Sequence, residues 1–319
     1  MITHLTSASH AYTHRQLSRS GRLDFRSMSY TRAFRASSLP RATYIFSDMD
    51  RLGFWELELA SRLYRALKAA GLRVLNDPGR VRQRLSLLRE LKQKGINRFD
   101  AWQADDSARP ARYPVFLRTQ SAHRGNLTDL LNDETQVRAA IETALAQGIP
   151  MRELTIIEYC AQPIAEKLFR KLSTFRVGNR MVSTLCVHEG HWSAKHGELG
   201  IASKENYDDE YAIVAENRWG EPLRPAFEVA NVEYGRSDFA LVDGCAQVYE
   251  INSNPMLGMV ETHPFPIRVR ASTLFYDRLF EAFSEIDSEA GGSAIKIDDE
   301  TLVRQRKSDR WVVRGRWHP

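Results

Sequence analysis

With 319 residues, 43% of them hydrophobic, the chain is too long for one small core and suits two or three lobes sharing an interface. No run approaches 18 apolar residues, which excludes a membrane-spanning helix, and Cys160, Cys186 and Cys245 form no CxxC pair, which excludes a cysteine zinc site or disulfide framework and suits a reducing cytoplasm. The net charge of +5 is lopsided: residues 1–41 carry seven arginines against one acid, Asp24, and the remainder is close to neutral. That distribution argues against a nucleic-acid-binding body. It describes a globule with a basic N-terminal arm that packs on it or meets an acidic partner, in preference to a transit peptide of similar composition.

Residues 1–40 lack clean periodicity, and Ser37, Ser38 and Pro40 read as a linker. A short buried strand is expected over 43–46, a helix over 54–70 stopped by Gly71, and a strand over 72–75 ending in Asn76-Asp77-Pro78. This strand–helix–strand unit opens a small α/β domain, 42–108. An amphipathic helix follows over 81–94, and the polar loop 105–110 marks a boundary. Next come a strand over 113–118, a polar loop 119–126, a helix over 135–147 and a buried strand over 154–159. A hairpin over 172–188 turns at Gly178-Asn179, and helical patterns return at 206–217, 227–234 and 269–286. Gly291-Gly292-Ser293 reads as a linker into a basic tail, 289–319, in which Trp311 and Trp317 interleave with arginines; a strand or tail lying on the body is preferred there to a nucleic-acid site.

Two antiparallel strands over 237–242 and 247–251, joined at Asp243-Gly244, carry the chemistry. Residues i and i+2 of a strand share a face, so Glu250 and Asn252 point the same way, and Asp238 reaches that face from the neighbouring strand. Two carboxylates and an amide oxygen form a hard-oxygen cluster suited to magnesium. His188, His191 and His196 have no zinc-site spacing and are not read as one.

The order Asp238 … Glu250-Ile251-Asn252-Ser253-Asn254-Pro255, ending a layout of this kind, resembles the ATP-grasp superfamily, which includes carboxylate–amine ligases such as glutathione synthetase and ligases that add glutamate to proteins or peptides. The resemblance covers roughly 43–285. It implies an α/β (α+β) ATP-grasp fold: the small N-terminal domain, a small lobe over 109–160 and a large lobe over 161–288 that clasp the nucleotide. It implies ATP and one or two magnesium ions, with manganese acceptable, held by Asp238, Glu250 and Asn252. Glu158, Tyr159 and Cys160 would form the hinge contacting adenine, Glu166 the ribose. Arg118 stands where the family presents a lysine to the phosphates, and His123 and Arg124 lie in a loop with one glycine where the family has several. Arg170, Lys171, Arg176 and Lys195 are the cations expected near the transferred phosphate or an acidic substrate, although the family's Asp-x-Arg signature is absent between 166 and 176. Trp192 reads as core packing.

The implied reaction is carboxylate–amine ligation through an acylphosphate, on small-molecule or peptide acids and amines, in the cytoplasm, without membrane or nucleic acid, with a homodimer as a possible assembly. A small-molecule kinase on the same scaffold and an ATP-binding regulatory protein without turnover are the alternatives. Removal of residues 1–40 is expected to leave ATP binding intact.

Overall fold

The computed structural model describes residues 1–121, 125–288 and 291–313. Its first part holds β1 (Ile2–Thr6), α1 (Arg15–Arg19), β2 (Phe25–Ser29), α2 (Tyr30–Arg35), β3 (Ser38–Leu39), β4 (Thr43–Phe46), α3 (Phe54–Ala69) and β5 (Val74–Leu75). Four of these strands make a parallel sheet in the order β2-β1-β4-β5. Ile2 sits between Phe25 on one side and Thr43 on the other. All five residues of β1 are buried.

Residues 1–41 are therefore not an arm, and the expectation built on their charge is corrected. Six of the seven arginines are exposed, on helices, a bend and the edge strand β2 around an inner strand. The positive charge belongs to the coat of the domain, and β1 is its centre. The first expected linker is also paired: β3 bonds antiparallel to β14 (Ile295–Lys296), a short strand just beyond Gly291-Gly292-Ser293, joining Leu39 to Ile295.

The second part begins with α4 (Arg84–Gln93), whose Leu85, Leu88 and Leu91 are buried at helical spacing. Three antiparallel strands follow, β6 (Ala101–Gln103), β7 (Val115–Thr119) and β8 (Leu154–Glu158), with β8 in the middle. Between them, α5 (Glu134–Ala146) starts at Asp133, whose carboxylate accepts from the Gln136 amide at 2.9 Å.

The third part contains β9 (Phe169–Val177), β10 (Arg180–Ser183), β11 (Val187–Glu189), α6 (Lys204–Glu216), α7 (Arg224–Ala230), β12 (Tyr234–Val242), β13 (Cys245–Asn252) and α8 (Pro266–Ile286). Its antiparallel sheet runs β10-β9-β12-β13, with β11 also paired to β9. Asp243 and Gly244 both take positive φ, 49° and 74°, as a tight right-twisted hairpin requires. Helix α7 ends sooner than the pattern suggested, because Asn231 turns left-handed and Tyr234 already starts β12. The basic tail is helical: α9 spans Glu300–Val313 and rests on α2 and α3, while the side chains of Trp311 and Trp317 lie outside the described residues. The mixed α/β class is the expected one.

One core joins the first part to the third. Ile2, Phe25 and Ile45 pack with Phe175 and Tyr234 and with Phe275, Leu279 and Phe283 of α8. Asn76 locks the same junction from the polar side. Its amide nitrogen donates to the carbonyls of Phe46 (2.9 Å) and Tyr234 (2.8 Å), and its oxygen accepts from the amides of Glu233 (2.7 Å) and Tyr234 (2.9 Å). Every capacity of the buried amide is thus used.

Inside this core His4 and His14 lie with ring centroids 4.0 Å apart, and His14 is hydrogen-bonded to the Tyr234 hydroxyl. Neither ring nitrogen of His4 has a partner among the described residues. Burial lowers its pKa to about 3, against the opposing pull of Asp48. A neutral buried histidine stabilises fully above its unfolded value near 6.5, and that contribution is lost as pH falls towards about 3. A His4→Leu protein should match or exceed the parent's stability at pH 7 and lose less melting temperature between pH 6.5 and 4. A steeper loss would refute the account. Deletion of residues 1–40 should abolish cooperative unfolding in circular dichroism, since it removes the central strand.

Candidate active site

A bulge in the hairpin builds the site. The register runs Asp238 opposite Glu250 and then Phe239 opposite Val248, so Tyr249 is the extra residue. Consecutive strand residues ordinarily face opposite ways. The bulge lets Tyr249 and Glu250 both line one cleft, with Asp238. The outer edge of β13 is closed by Asn97, whose side chain bonds both backbone groups of Val248, at 2.8 and 2.9 Å. Asn252 follows on the strand opposite Arg236, its side-chain oxygen accepting from the Asn254 amide at 2.8 Å.

Like charges directly across a strand pair repel. Here each carboxylate is met by two cations. Asp238, 2% exposed, accepts from Arg236 Nε at 2.8 Å and Nη2 at 3.1 Å, faces Lys171 Nζ at 3.3 Å, and accepts from Ser173 Oγ at 3.0 Å. Burial alone would raise its pKa, but Arg236 and then Lys171 hold it below the usual carboxylate range. Glu250 Oε2 accepts from Arg84 at 2.5 Å and Arg118 at 2.9 Å. Burial holds Arg118 below the ordinary guanidinium range against the attraction of Glu250, and neighbouring Arg84 adds to the lowering.

The apolar end of the cleft is made by Leu88, Phe99, Phe116 and Ile157, with Tyr159 and Cys160 at the crossing from β8. The backbone of this crossing is already engaged at three points: the Glu158 and Tyr159 amides donate to Asp100 and Pro114 carbonyls at 3.1 and 3.0 Å, and Cys160 C=O accepts from the Tyr249 hydroxyl at 2.6 Å. The Glu158 carboxylate accepts from the Asp100 amide at 2.9 Å and from Arg112 at 2.5 Å, so it serves the lobe's own structure at this point. Glu166 lies in an exposed turn and is not part of the cleft wall, unlike its expected ribose role.

The expected cations separate into two groups. Arg118, Lys171, Arg170 and Lys195 reach the cleft. Arg170 is at the same time paired with Asp209 of α6 at 2.5 Å. Arg176 is not brought to the site: it donates to the carbonyls of Gly178 at 3.0 Å and Val232 at 3.1 Å, about 17 Å along β9 from Lys171. His123 and Arg124 lie outside the described residues. Lys195 belongs to a segment pinned by Glu189, whose Oε1 accepts from the amides of Lys195 (2.8 Å), His196 (2.5 Å) and Gly197 (2.6 Å).

That same segment carries Trp192 over the cleft, with ring centroids 4.9 Å from Phe116 and 5.6 Å from Tyr159. It is a roof between two lobes, and its reading as core packing is corrected. His188 is buried against Tyr207, and His191 faces Asp129 at 3.6 Å. Sequence reading missed Arg84 and Arg236. Arg236 carried a signal, two residues before Asp238 on the same strand face; Arg84 had none, being one of several arginines on an amphipathic helix.

Asp238 and Glu250 line the cleft with the kind of hard oxygens that magnesium takes, whereas Asn252, two residues on, is not part of the cleft wall. Among the described residues there is no cluster of three or more His, Cys, Asp or Glu side chains, so a metal here would need oxygens from a bound anion as well. The cation surplus around the two acids, with buried Nε–H groups of Arg84 and Arg118 lacking acceptors among the described residues, fits such an anion.

No family model and no curated protein matches the chain. It is similar in structure to a D-alanine–D-alanine ligase of Bacillus anthracis solved with ATP, at 13% identity and a TM-score of 0.47, over 97% of this chain and 99% of that one. It is similar also to an L-amino acid ligase of Bacillus licheniformis (13%, TM-score 0.42, 79% and 66%) and to a carboxyaminoimidazole ribonucleotide synthase of Aspergillus clavatus solved with ATP (13%, TM-score 0.47, 79% and 69%).

Removing one partner of a buried charge pair leaves the other uncompensated. Arg236→Gln should lower unfolding free energy by roughly 3 kcal/mol in urea titration, with Lys171 left to hold Asp238. A loss under about 0.5 kcal/mol, the usual range of a surface change, would show that Asp238 does not depend on it.

Proposed function

We propose that the chain is an ATP-grasp carboxylate–amine ligase. The observation that carries this reading is the pairing of Asp238 with Glu250 across the β12–β13 bulge, in a cleft that is apolar at one end and cationic at the other. The apolar end, under Trp192, suits a purine. The cationic end suits a triphosphate. Magnesium held by Asp238, Glu250 and Asn252 would offset charge on the phosphoryl group in flight.

A carboxylate oxygen of the acid substrate attacks the γ-phosphorus as the bond to ADP breaks. Arg118, Arg84 and Lys171 balance the charge, Arg118 by a fork where a lysine would act as a point charge. The resulting acylphosphate is attacked at its carbonyl carbon by the amine. The C–N bond forms, phosphate leaves and the amine gives up a proton. Lys195, at the roof, would meet the phosphate; its Nζ lies beside Gly125, where a Cβ would come within 3.6 Å of it. Acid and amine enter from the carboxyl edge of β1 and β4, where Ser253 Oγ accepts from the Asp48 amide at 3.1 Å, one residue beyond Asn252.

The test is to supply ATP, magnesium and panels of acids and amines, and to follow ADP and free phosphate separately. A ligase releases both only when acid and amine are present. A kinase would give ADP without phosphate. A binding protein would give neither, yet ATP would still raise its melting temperature. Glu250→Gln should abolish magnesium-dependent turnover; undiminished turnover in that variant would remove Glu250 from the metal site.

A further inference from the structure

Arg84 and Arg118 come from different parts of the chain, the first turn of α4 and the strand β7, yet both donate to one oxygen, Oε2 of Glu250. The side chains are 7% and 16% exposed, and Glu250 is 18% exposed. Two full positive charges thus converge on one carboxylate oxygen in a poorly solvated place. Each guanidinium also has a buried Nε–H with no acceptor among the described residues. An unmet buried donor carries its desolvation penalty without compensation. The arrangement is short of acceptors and of negative charge together, and a polyphosphate supplies both. Arg84 is further fixed at Nη1 by the carbonyls of Thr119 (2.9 Å) and Gln120 (3.0 Å), which hold it behind Glu250, just outside the cleft wall.

On the basis of the function proposed above, we infer that Arg84 and Arg118 mask Glu250 from free divalent metal, and that a polyphosphate unmasks it by drawing the two guanidiniums onto its own oxygens. The exchange is one of partners, with no covalent step. Before it, a divalent cation entering alone must separate two arginines from their carboxylate and join the field of Lys171 and Arg236 around Asp238. After it, the arginines face phosphate and Glu250 faces the metal. Metal and polyphosphate therefore bind with strong positive coupling, and the coupling resides in these two side chains.

The experiment measures Mn²⁺ binding to the full chain by electron paramagnetic resonance, and tripolyphosphate binding by calorimetry, each with and without the other. For the parent, tripolyphosphate should tighten Mn²⁺ at least about tenfold. Arg118→Gln and Arg84→Gln should each bind Mn²⁺ alone on the order of tenfold more tightly than the parent, while binding metal-free tripolyphosphate more weakly. Variants that bind Mn²⁺ alone no better than the parent, or a parent that binds it equally well without tripolyphosphate, overturn the masking. Should Arg84→Gln not fold, Glu250→Gln gives the reciprocal measurement. Freed of the competing carboxylate, the arginines should take metal-free tripolyphosphate more tightly than in the parent, and more so than in Asp238→Asn, which lowers the local negative charge equally. Equal gains in the two overturn the exchange. If neither tripolyphosphate nor ATP, with or without metal, binds the parent, the nucleotide-site reading itself fails and the masking with it.

Discussion

Two carboxylates facing each other across a strand pair are an electrostatic liability, and four cations drawn from three parts of the chain meet it. Asp238 is answered within its own sheet, by Arg236 on the same strand and Lys171 on the next. Glu250 is answered from outside, by Arg84 and Arg118. The difference matters. The first acid is held within one lobe, whereas the second binds the large lobe to α4 and to β7. The position of Glu250 thus depends on how the parts of the chain sit against each other, and so does the width of the cleft.

The same logic explains the bulge. A regular ladder would send Tyr249 and Glu250 to opposite faces, leaving either the aromatic wall or the acid out of the cleft. One inserted residue gives both, and Tyr249 then fastens the crossing between lobes through Cys160. Asn97 occupies the edge that the irregularity would otherwise leave open, acting as a short substitute strand.

How much of this was legible in the sequence depends on distance along the chain. The Asp238–Glu250 hairpin was readable because its residues lie within one turn of each other and Asp-Gly fixes the geometry. The crossing at 158–160 and the strand bearing Arg118 were readable as a buried strand and an apolar run. Arg84 was not: its partner lies 166 residues away, and nothing local marks it. Trp192 was misread because a lone aromatic in an irregular segment reveals nothing of what it covers. The first 41 residues were misread for another reason. Arginine dominated the composition, while the strand that matters, Ile-Thr-His-Leu-Thr, holds two polar threonines and a histidine that are all buried. Buried polar residues hide a central strand from any reading by hydrophobic pattern.

The position of β1 also shapes how the chain comes together. The central strand is made well before its partners: its flanking strand β4 begins at residue 43, and the helix that closes the core over Ile2 and Phe25 spans 266–286. Contacts of such sequence separation carry a high loop-closure cost and form late. During synthesis the N-terminal sheet must wait, with one face bare, for almost the whole chain to emerge. Its arginine coat, six side chains exposed on the finished domain, gives that sheet a positive charge, and like charge disfavours contact between copies.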